Sequence, residues 1–375
     1  MHTPQSPQSI RVSASVMSHP SRSDSAGRVA ERTGLPLAGL ALDPEPDGPP
    51  TALRSATVAF GSAARYDTTH HLVLQDDARP AEGFAQTVQR YLGAHPEAAV
   101  SFFVEWGSRT ATLARWAVFT GAGAVPVVNP YVPTVALALP SELSVALGRF
   151  LAEEGRTAEP DDREVLRFVR RAGVSALVAV PNPVEHGELP SLVGNAGHGA
   201  RLSVCFASEA VAAPDTSVLE PPRPLPHLNW ITGVPSLINL DNDVPEAHLS
   251  LAWGLASWGA DEAGLASGLT AALAARTGAD SLRPLLPQPH LTSVWHTAVA
   301  NGAVLEGRWP GVVGGLRARL GEPVVERALA TLVPGALRTR VDVTALEEHR
   351  SEVVGLTLAA LEYGAEHCPA PKEAL

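Results

Sequence analysis

Short apolar runs of strand length alternate with stretches of helical pattern through residues 10–180, and nothing else in the chain constrains its fold so strongly. Runs at 10–17, 37–42, 70–74, 99–104, 132–139 and 175–180 read as strands, most of them closed by a polar or Pro/Gly-rich turn. Between them, 23–33, 51–64, 81–92, 141–153 and 161–171 read as helices. Such alternation is the pattern of βαβ units, so an α/β fold is predicted, with a mainly parallel, Rossmann-like sheet flanked by helices. Ligands of open α/β sheets settle outside the carboxyl ends of the strands, which puts the loops at His19, Asp43 and Asp76 on one edge.

The Pro/Gly-rich stretch 181–199 is too long for a simple connection and reads as a functional or disordered loop. Prolines recur densely over 212–226, so 211–235 is taken as a linker between an α/β domain at 10–210 and an α-helical C-terminal domain at 236–375. Residues 1–9 are polar and Pro/Ser-rich and read as a disordered tail. A chain of 375 residues can bury one large core and a smaller one.

The net charge of −11 argues against a nucleic-acid backbone as partner. Cys205 and Cys368 lie far apart without CxxC spacing, which disfavours a thiolate metal site and fits a reducing cytoplasm. The first residues lack the basic and apolar regions of a signal peptide, and no apolar run reaches membrane-spanning length, so no membrane span is expected. No GxGxxG follows the first strand, which disfavours a dinucleotide-dependent oxidoreductase.

Five groups of residues carry candidate chemistry. The run His70-His71-Leu72-Val73-Leu74-Gln75-Asp76-Asp77 is an apolar strand that stops on two acids. Adjacent side chains of a strand point to opposite faces, so the two carboxylates converge on one ion only if the chain turns there. A hard divalent cation would suit them; a solvated turn with an aspartate capping the next helix is the plain alternative. Ser18-His19-Pro20-Ser21-Arg22 leads from a strand into a helix and offers either an anion contact through Arg22 or a simple cap. Asp43, with Arg54 early in the following helix, suits a ribose or base edge, or else marks a Pro/Gly turn. Asp161-Asp162-Arg163-Glu164 reads first as a helix start, with Asp161 as N-cap and Glu164 in capping-box position, leaving Asp162 free to act as a base. His186, in the polar loop after the 175–180 strand, is either a metal ligand or substrate contact or an exposed histidine.

In their order, these elements resemble the GT-A-fold glycosyltransferases, the nucleotide-diphospho-sugar transferase superfamily. The likeness rests on MSHPSR after the first strand, LVLQDD, PTVALALP, DDREVL and PNPVEHGELPSLVGN, and it covers about the first 210 residues. It implies a GT-A-like nucleotide-sugar-binding domain and transfer of a sugar to a hydroxyl of a small-molecule or peptide acceptor. Asp76 and Asp77, with His186 nearby, would hold Mn²⁺ or Mg²⁺. His19, Arg22, Asp43, Arg54, Gln75 and Asp76 would line the nucleotide-sugar pocket, and Asp162 would be the catalytic base. The family's Asp-X-Asp pattern is here Gln75-Asp76-Asp77, with an amide in place of the first acid; it retains the capacity to bond a ribose hydroxyl.

The rival expectation is a non-catalytic relative, a scaffold in a biosynthetic assembly that binds a protein partner or itself through the C-terminal region. Trp230, Trp253, Trp258, Trp295 and Trp309 make that region aromatic, which suits an interface as well as a core.

Overall fold

The computed structural model describes residues 9–187, 189–208, 215–240, 248–274 and 281–369. Eight residues of the expected tail, 1–8, and residues 211–214 of the expected linker lie outside these. The chain divides into two compact units that are interleaved in sequence. The first comprises the described parts of Met1–Phe103, Pro130–Asn195 and Ala207–Thr216; the second comprises those of Val104–Asn129, Ala196–Phe206 and Ser217–Leu375.

The first unit opens with β1 (Val12–Ser18), α1 (Ser23–Arg32), β2 (Ala38–Leu42) and α2 (Leu53–Gly61). After these come β3 (His70–Gln75), the short β4 (Ala78–Pro80), α3 (Phe84–Ala94) and β5 (Ala99–Ser101). The second unit then takes α4 (Arg109–Thr120) and β6 (Ala124–Pro126) before the chain returns for β7 (Ala136–Pro140), α5 (Ser141–Glu154), α6 (Asp161–Ala172), β8 (Ala176–Ala179) and β9 (Val184–His186). The protein is therefore α/β, with a mostly parallel sheet flanked by helices.

Within the first unit the strands lie in the order β2-β1-β3-β7-β5-β8. Of these six, β7 alone runs against its neighbours. β1 and β3 pair in parallel register from Val12↔His70 to Met17↔Gln75, so the chain leaves both strands at one edge. One face of the sheet buries Met17, Val73, Leu137 and Leu139 against Phe60, Leu147, Phe150 and Val169 from α2, α5 and α6. Fully burying an aliphatic or aromatic side chain is favourable by about 1.5–3 kcal/mol, so this layer fixes which face of the sheet turns toward α2, α5 and α6.

Most predicted strands and helices occur where expected, with shifted ends. The 132–139 run is shorter as a strand and antiparallel, and the 99–104 run forms only three residues of strand. The predicted helix at 81–92 starts later, because β4 uses the residues before it and Gly83, at φ +70°, turns the chain into α3. Asp161 is not an N-cap: Pro160 holds that position and Asp161 is the first residue of α6. Glu164 does not close a capping box either. Its buried carboxylate accepts from Arg156 Nε at 2.8 Å and from Arg167 Nε at 3.1 Å. The long loop after β8 contains β9, which pairs antiparallel with β4.

The second unit continues with β10 (Leu225–Leu228), β11 (Pro235–Ile238) and β12 (His248–Ser250), a three-stranded antiparallel sheet in that order. Its helices follow: α7 (Leu251–Ser257), α8 (Glu262–Ala274), α9 (Leu282–Leu285), α10 (Gln288–Arg308), α11 (Val312–Leu316), α12 (Pro323–Ala330), α13 (Leu332–Leu337), α14 (Val343–Glu348) and α15 (Arg350–His367). Helices α10 and α15 cross at Gly302 and Gly364, where a Cβ on either residue would overlap the backbone of the opposite helix. Trp295 and Trp258 are buried, whereas Trp253 is 54% exposed. Among the described residues, no helix is long and apolar enough to cross a membrane.

Candidate functional site

The candidate residues other than Asp162 lie at or beside the ends of β1, β2 and β3. After Gln75 the chain makes a tight turn on Asp76 and Asp77 and enters β4 directly. The turn satisfies the condition that the sequence set for two adjacent acids to share one edge.

Asp76 is bound to the loop after β1. Its Oδ2 accepts from the Ser18 hydroxyl at 2.8 Å, its Oδ1 lies 3.5 Å from Arg22 Nη1, and its backbone carbonyl accepts from the Ser25 hydroxyl at 2.9 Å. Both side chains of the ion pair are largely buried, so the attraction is screened less than on an open surface. Arg22 also donates to the Pro190 carbonyl in the loop after β9.

Asp77 faces the other way along the turn. Its Oδ2 lies 3.4 Å from His186 Nε2, and its carbonyl accepts from Gly187 N at 2.7 Å. The β4–β9 ladder sets Ala78 opposite His186 and thereby brings the histidine to the acids. Gly187 is required for this approach, since a Cβ there would press on the Asp77 carbonyl. His186 is 3% exposed; its ring packs near Phe103 at 6.0 Å, and its backbone N–H donates to Glu185 Oε1. The plain alternative of an exposed loop histidine does not apply.

The second cluster sits beyond β2. Asp43 accepts from Arg54 Nε at 2.8 Å and from Arg54 Nη2 at 2.9 Å, a two-pronged pair, and from the Glu45 backbone N–H. The Arg54 guanidinium holds the Asp43 carboxyl below its ordinary range, against the opposing effect of burial. His19 Nδ1 accepts from the Ser21 backbone N–H, which makes Nε2 the protonated nitrogen that donates to the Pro46 carbonyl at 3.3 Å. Thus Asp43 and Arg54 are joined to each other, with His19 on the neighbouring loop.

Gln75 Nε2 donates to Thr134 Oγ1 at 3.3 Å, in the segment just before β7. The Thr134 hydroxyl is in turn a hydrogen-bonding neighbour of Asp161, whose carboxyl burial pushes above its usual range while Thr134 acts to lower it. Oδ2 of Asp161 has no hydrogen-bond partner among the described residues. Asp162, the next residue, is half-buried, and its carbonyl accepts from Val132 N at 3.1 Å. Thr134 and Asp161 are the residues that sequence reasoning missed. The Asp161-Asp162 doublet was a signal, but the capping pattern explained Asp161 away; Thr134 carried none.

Among the described residues, no three His, Cys, Asp or Glu side chains are grouped so as to hold a metal ion. Two ligands from the protein nevertheless suit a hard cation whose remaining positions are filled by phosphates and water. Asp77 and His186 lie 3.4 Å apart, and the two oxygens of Asp76 face Ser18 and Arg22.

No protein-family model and no curated protein matches the chain.

Proposed function

We propose that the first unit is a GT-A-like domain that binds a nucleotide-diphosphate sugar at the carboxyl edge of β1, β2 and β3 and transfers the sugar to a hydroxyl acceptor. The observation that carries this reading is the Asp76-Asp77 turn, flanked by Arg22 from one loop and His186 from another. Ligands of open α/β sheets bind at this edge, and acids, a guanidinium and an imidazole gather there.

In this reading Asp43 and His19 orient the nucleoside, with Arg54 holding the Asp43 carboxylate ionised and in place. Arg22 keeps the turn closed through Asp76 and offers its remaining N–H groups to phosphate oxygens. Gln75, fixed by Thr134, presents an amide to a ribose hydroxyl. Asp77 and His186 would hold Mn²⁺ or Mg²⁺, which when bound neutralises the negative charge growing on the departing diphosphate. Asp162 takes the proton of the acceptor hydroxyl as its oxygen bonds to the anomeric carbon, while the bond to the diphosphate breaks and its electron pair leaves with the phosphate.

A second reading has a specific observation in its favour. The Asp76 carboxylate is engaged by Ser18 and Arg22, and the first acid of the family pattern is Gln75, so the same edge suits a non-catalytic relative that takes no nucleotide sugar and serves as a partner-binding scaffold. Thermal unfolding with a panel of nucleotide sugars, with and without Mn²⁺, separates the two. The transferase reading expects one nucleotide to raise the melting temperature in a metal-dependent way, and the rise to vanish in Asp77→Asn. No response to any nucleotide would sink it.

A further inference from the structure

Strand β2 closes one lateral side of the sheet of the first unit, and among the described residues it pairs with β1 alone. The Leu37 carbonyl accepts from Ala14 N at 2.7 Å, and Asp43 N donates to the Ser18 carbonyl at 2.9 Å. Backbone groups alternate in direction along a strand, so Leu37, Gly39, Ala41 and Asp43 face β1, while the N–H and C=O of Ala38, Leu40 and Leu42 point away from the sheet. Side chains alternate as well. Ala41 belongs to the core that contains Phe60 of α2, so Leu40 and Leu42 lie on the opposite face. That face carries α1, because the β1–β2 and β2–β3 connections run in opposite directions across the sheet and right-handed crossovers put their helices on opposite faces. Leu37, Leu40 and Leu42 are 41%, 42% and 38% exposed.

An open strand side is a template for another strand, and proteins usually blunt it with lysine, proline or a bulge. Leu37-Ala38-Gly39-Leu40-Ala41-Leu42 has none of these: it is uncharged, and its register with β1 is unbroken. We propose that β2 pairs antiparallel with β2 of a second copy of this chain about a two-fold axis at Leu40, making one continuous sheet across a dimer. In that register Leu40 lies opposite Leu40 and Ala38 opposite Leu42, so each pair exchanges both N–H···O bonds through its outward backbone groups. The side chains on the α1 face fit too: the small Ala38 stands against Leu42, and the two Leu40 side chains meet at the axis. Charge favours a second copy in this direction. Exposed Glu45 and Asp47 follow β2, while the last turns of α1, which lead back to the start of β2, carry exposed Arg28 and Arg32 against the single acid Glu31. Antiparallel pairing brings the acidic end of each β2 toward the basic end of the other copy's α1, whereas parallel pairing would set acid beside acid. An isologous contact uses each strand once and closes at two copies. The proposal is independent of the nucleotide-sugar reading, since it rests on backbone groups and side chains of β2 and α1 alone.

The test is sedimentation equilibrium of the full chain, with circular dichroism to confirm folding. Over about 1–200 µM the proposal expects a monomer–dimer equilibrium with a dissociation constant of about 10 µM, in the range of a small interface. Leu40→Lys and Leu40→Glu each set like charges opposite one another at the axis and should weaken the dimer at least about tenfold. An equimolar mixture of the two variants should recover a dimer, because opposite charges then meet. Should either variant not fold, Arg32→Glu serves instead: this exposed change leaves the strand intact and should weaken the dimer about threefold or more. A chain that stays monomeric throughout the range would overturn the proposal, as would a dimer that persists in the Leu40 variants, or in Arg32→Glu where that is used. Leu40 variants that remain monomeric when mixed would overturn the antiparallel register, and assemblies larger than two copies would overturn the closed two-fold.

Discussion

Arg22 Nη1 and Asp76 Oδ1 lie 3.5 Å apart, both largely buried, so the loop after β1 and the turn after β3 are held by one ion pair. The Ser18 hydroxyl adds a second bond to the same carboxylate. Asp76→Ala removes both and leaves a guanidinium shielded from water without its anion. A loss of about 2 kcal/mol in unfolding free energy is expected from urea denaturation. Arg22→Ala together with Asp76→Ala should cost less than the sum of the two single changes, because the double variant strands no charge. Additive losses would show that the pair is not coupled.

His71 gives the first unit a pH dependence of definite sign. It is fully buried in β3, where Nδ1 accepts from the Ser13 hydroxyl at 2.8 Å and Nε2 donates to the Ala59 carbonyl at 3.1 Å. Burial pushes its pKa from the ordinary 6.5 down to about 4. The unfolded chain therefore takes up a proton near 6.5 while the folded chain does not until about 4. The contribution is fully present above pH 6.5, falls as the pH drops through that window, and is constant below it. It amounts to about 3 kcal/mol, converted at 1.36 kcal/mol per pKa unit. Urea unfolding at pH 7 and pH 4.5 should show a smaller difference in His71→Gln than in the parent chain; an unchanged difference would remove His71 as its source.

Two helical glycines should respond oppositely to the same change. An alanine normally gains about 1 kcal/mol over glycine inside a helix. Gly27 in α1 has open space where a Cβ would go, so Gly27→Ala should raise the melting temperature. At Gly302 the Cβ would overlap the α15 backbone at Leu361, and forcing atoms into a packed interior costs about 1–3 kcal/mol. Gly302→Ala should therefore lower the melting temperature, and a rise in both variants would contradict the close crossing of α10 and α15.

Much of this fold was legible because its strands and helices carry different hydrophobic periods. The acid pair stood out for the same reason: Leu72, Val73 and Leu74 form a buried strand, so the polar residues that follow must leave the sheet. Strand direction was not legible. The residues of β7 are apolar on both faces, and a run such as Ala-Leu-Ala-Leu reads alike in either orientation. Asp161 was misassigned because an acid before a helix suits a cap and a buried position equally well, and only the placement of Pro160 and Thr134 separates the two. The sheet of β10, β11 and β12 was hidden by its prolines: Pro226 lies in β10, an edge strand, where a missing N–H is tolerated. The helix start at Asp161 and the loop at His186 look unrelated in sequence to the acids of β3. In the fold, Thr134 connects Gln75 with Asp161, and the β4–β9 ladder sets His186 beside Asp77.

The central claim is that the Asp76-Asp77 turn is a nucleotide-diphosphate site. Isothermal titration of nucleoside diphosphates into the full chain, with and without Mn²⁺, measures this without requiring knowledge of the acceptor. One nucleotide should bind with a stoichiometry of about one per chain and at least about tenfold more tightly with Mn²⁺, a coupling of about 1.4 kcal/mol that Asp77→Asn removes. Absence of binding by every nucleoside diphosphate, or binding indifferent to both Mn²⁺ and Asp77→Asn, would contradict the account.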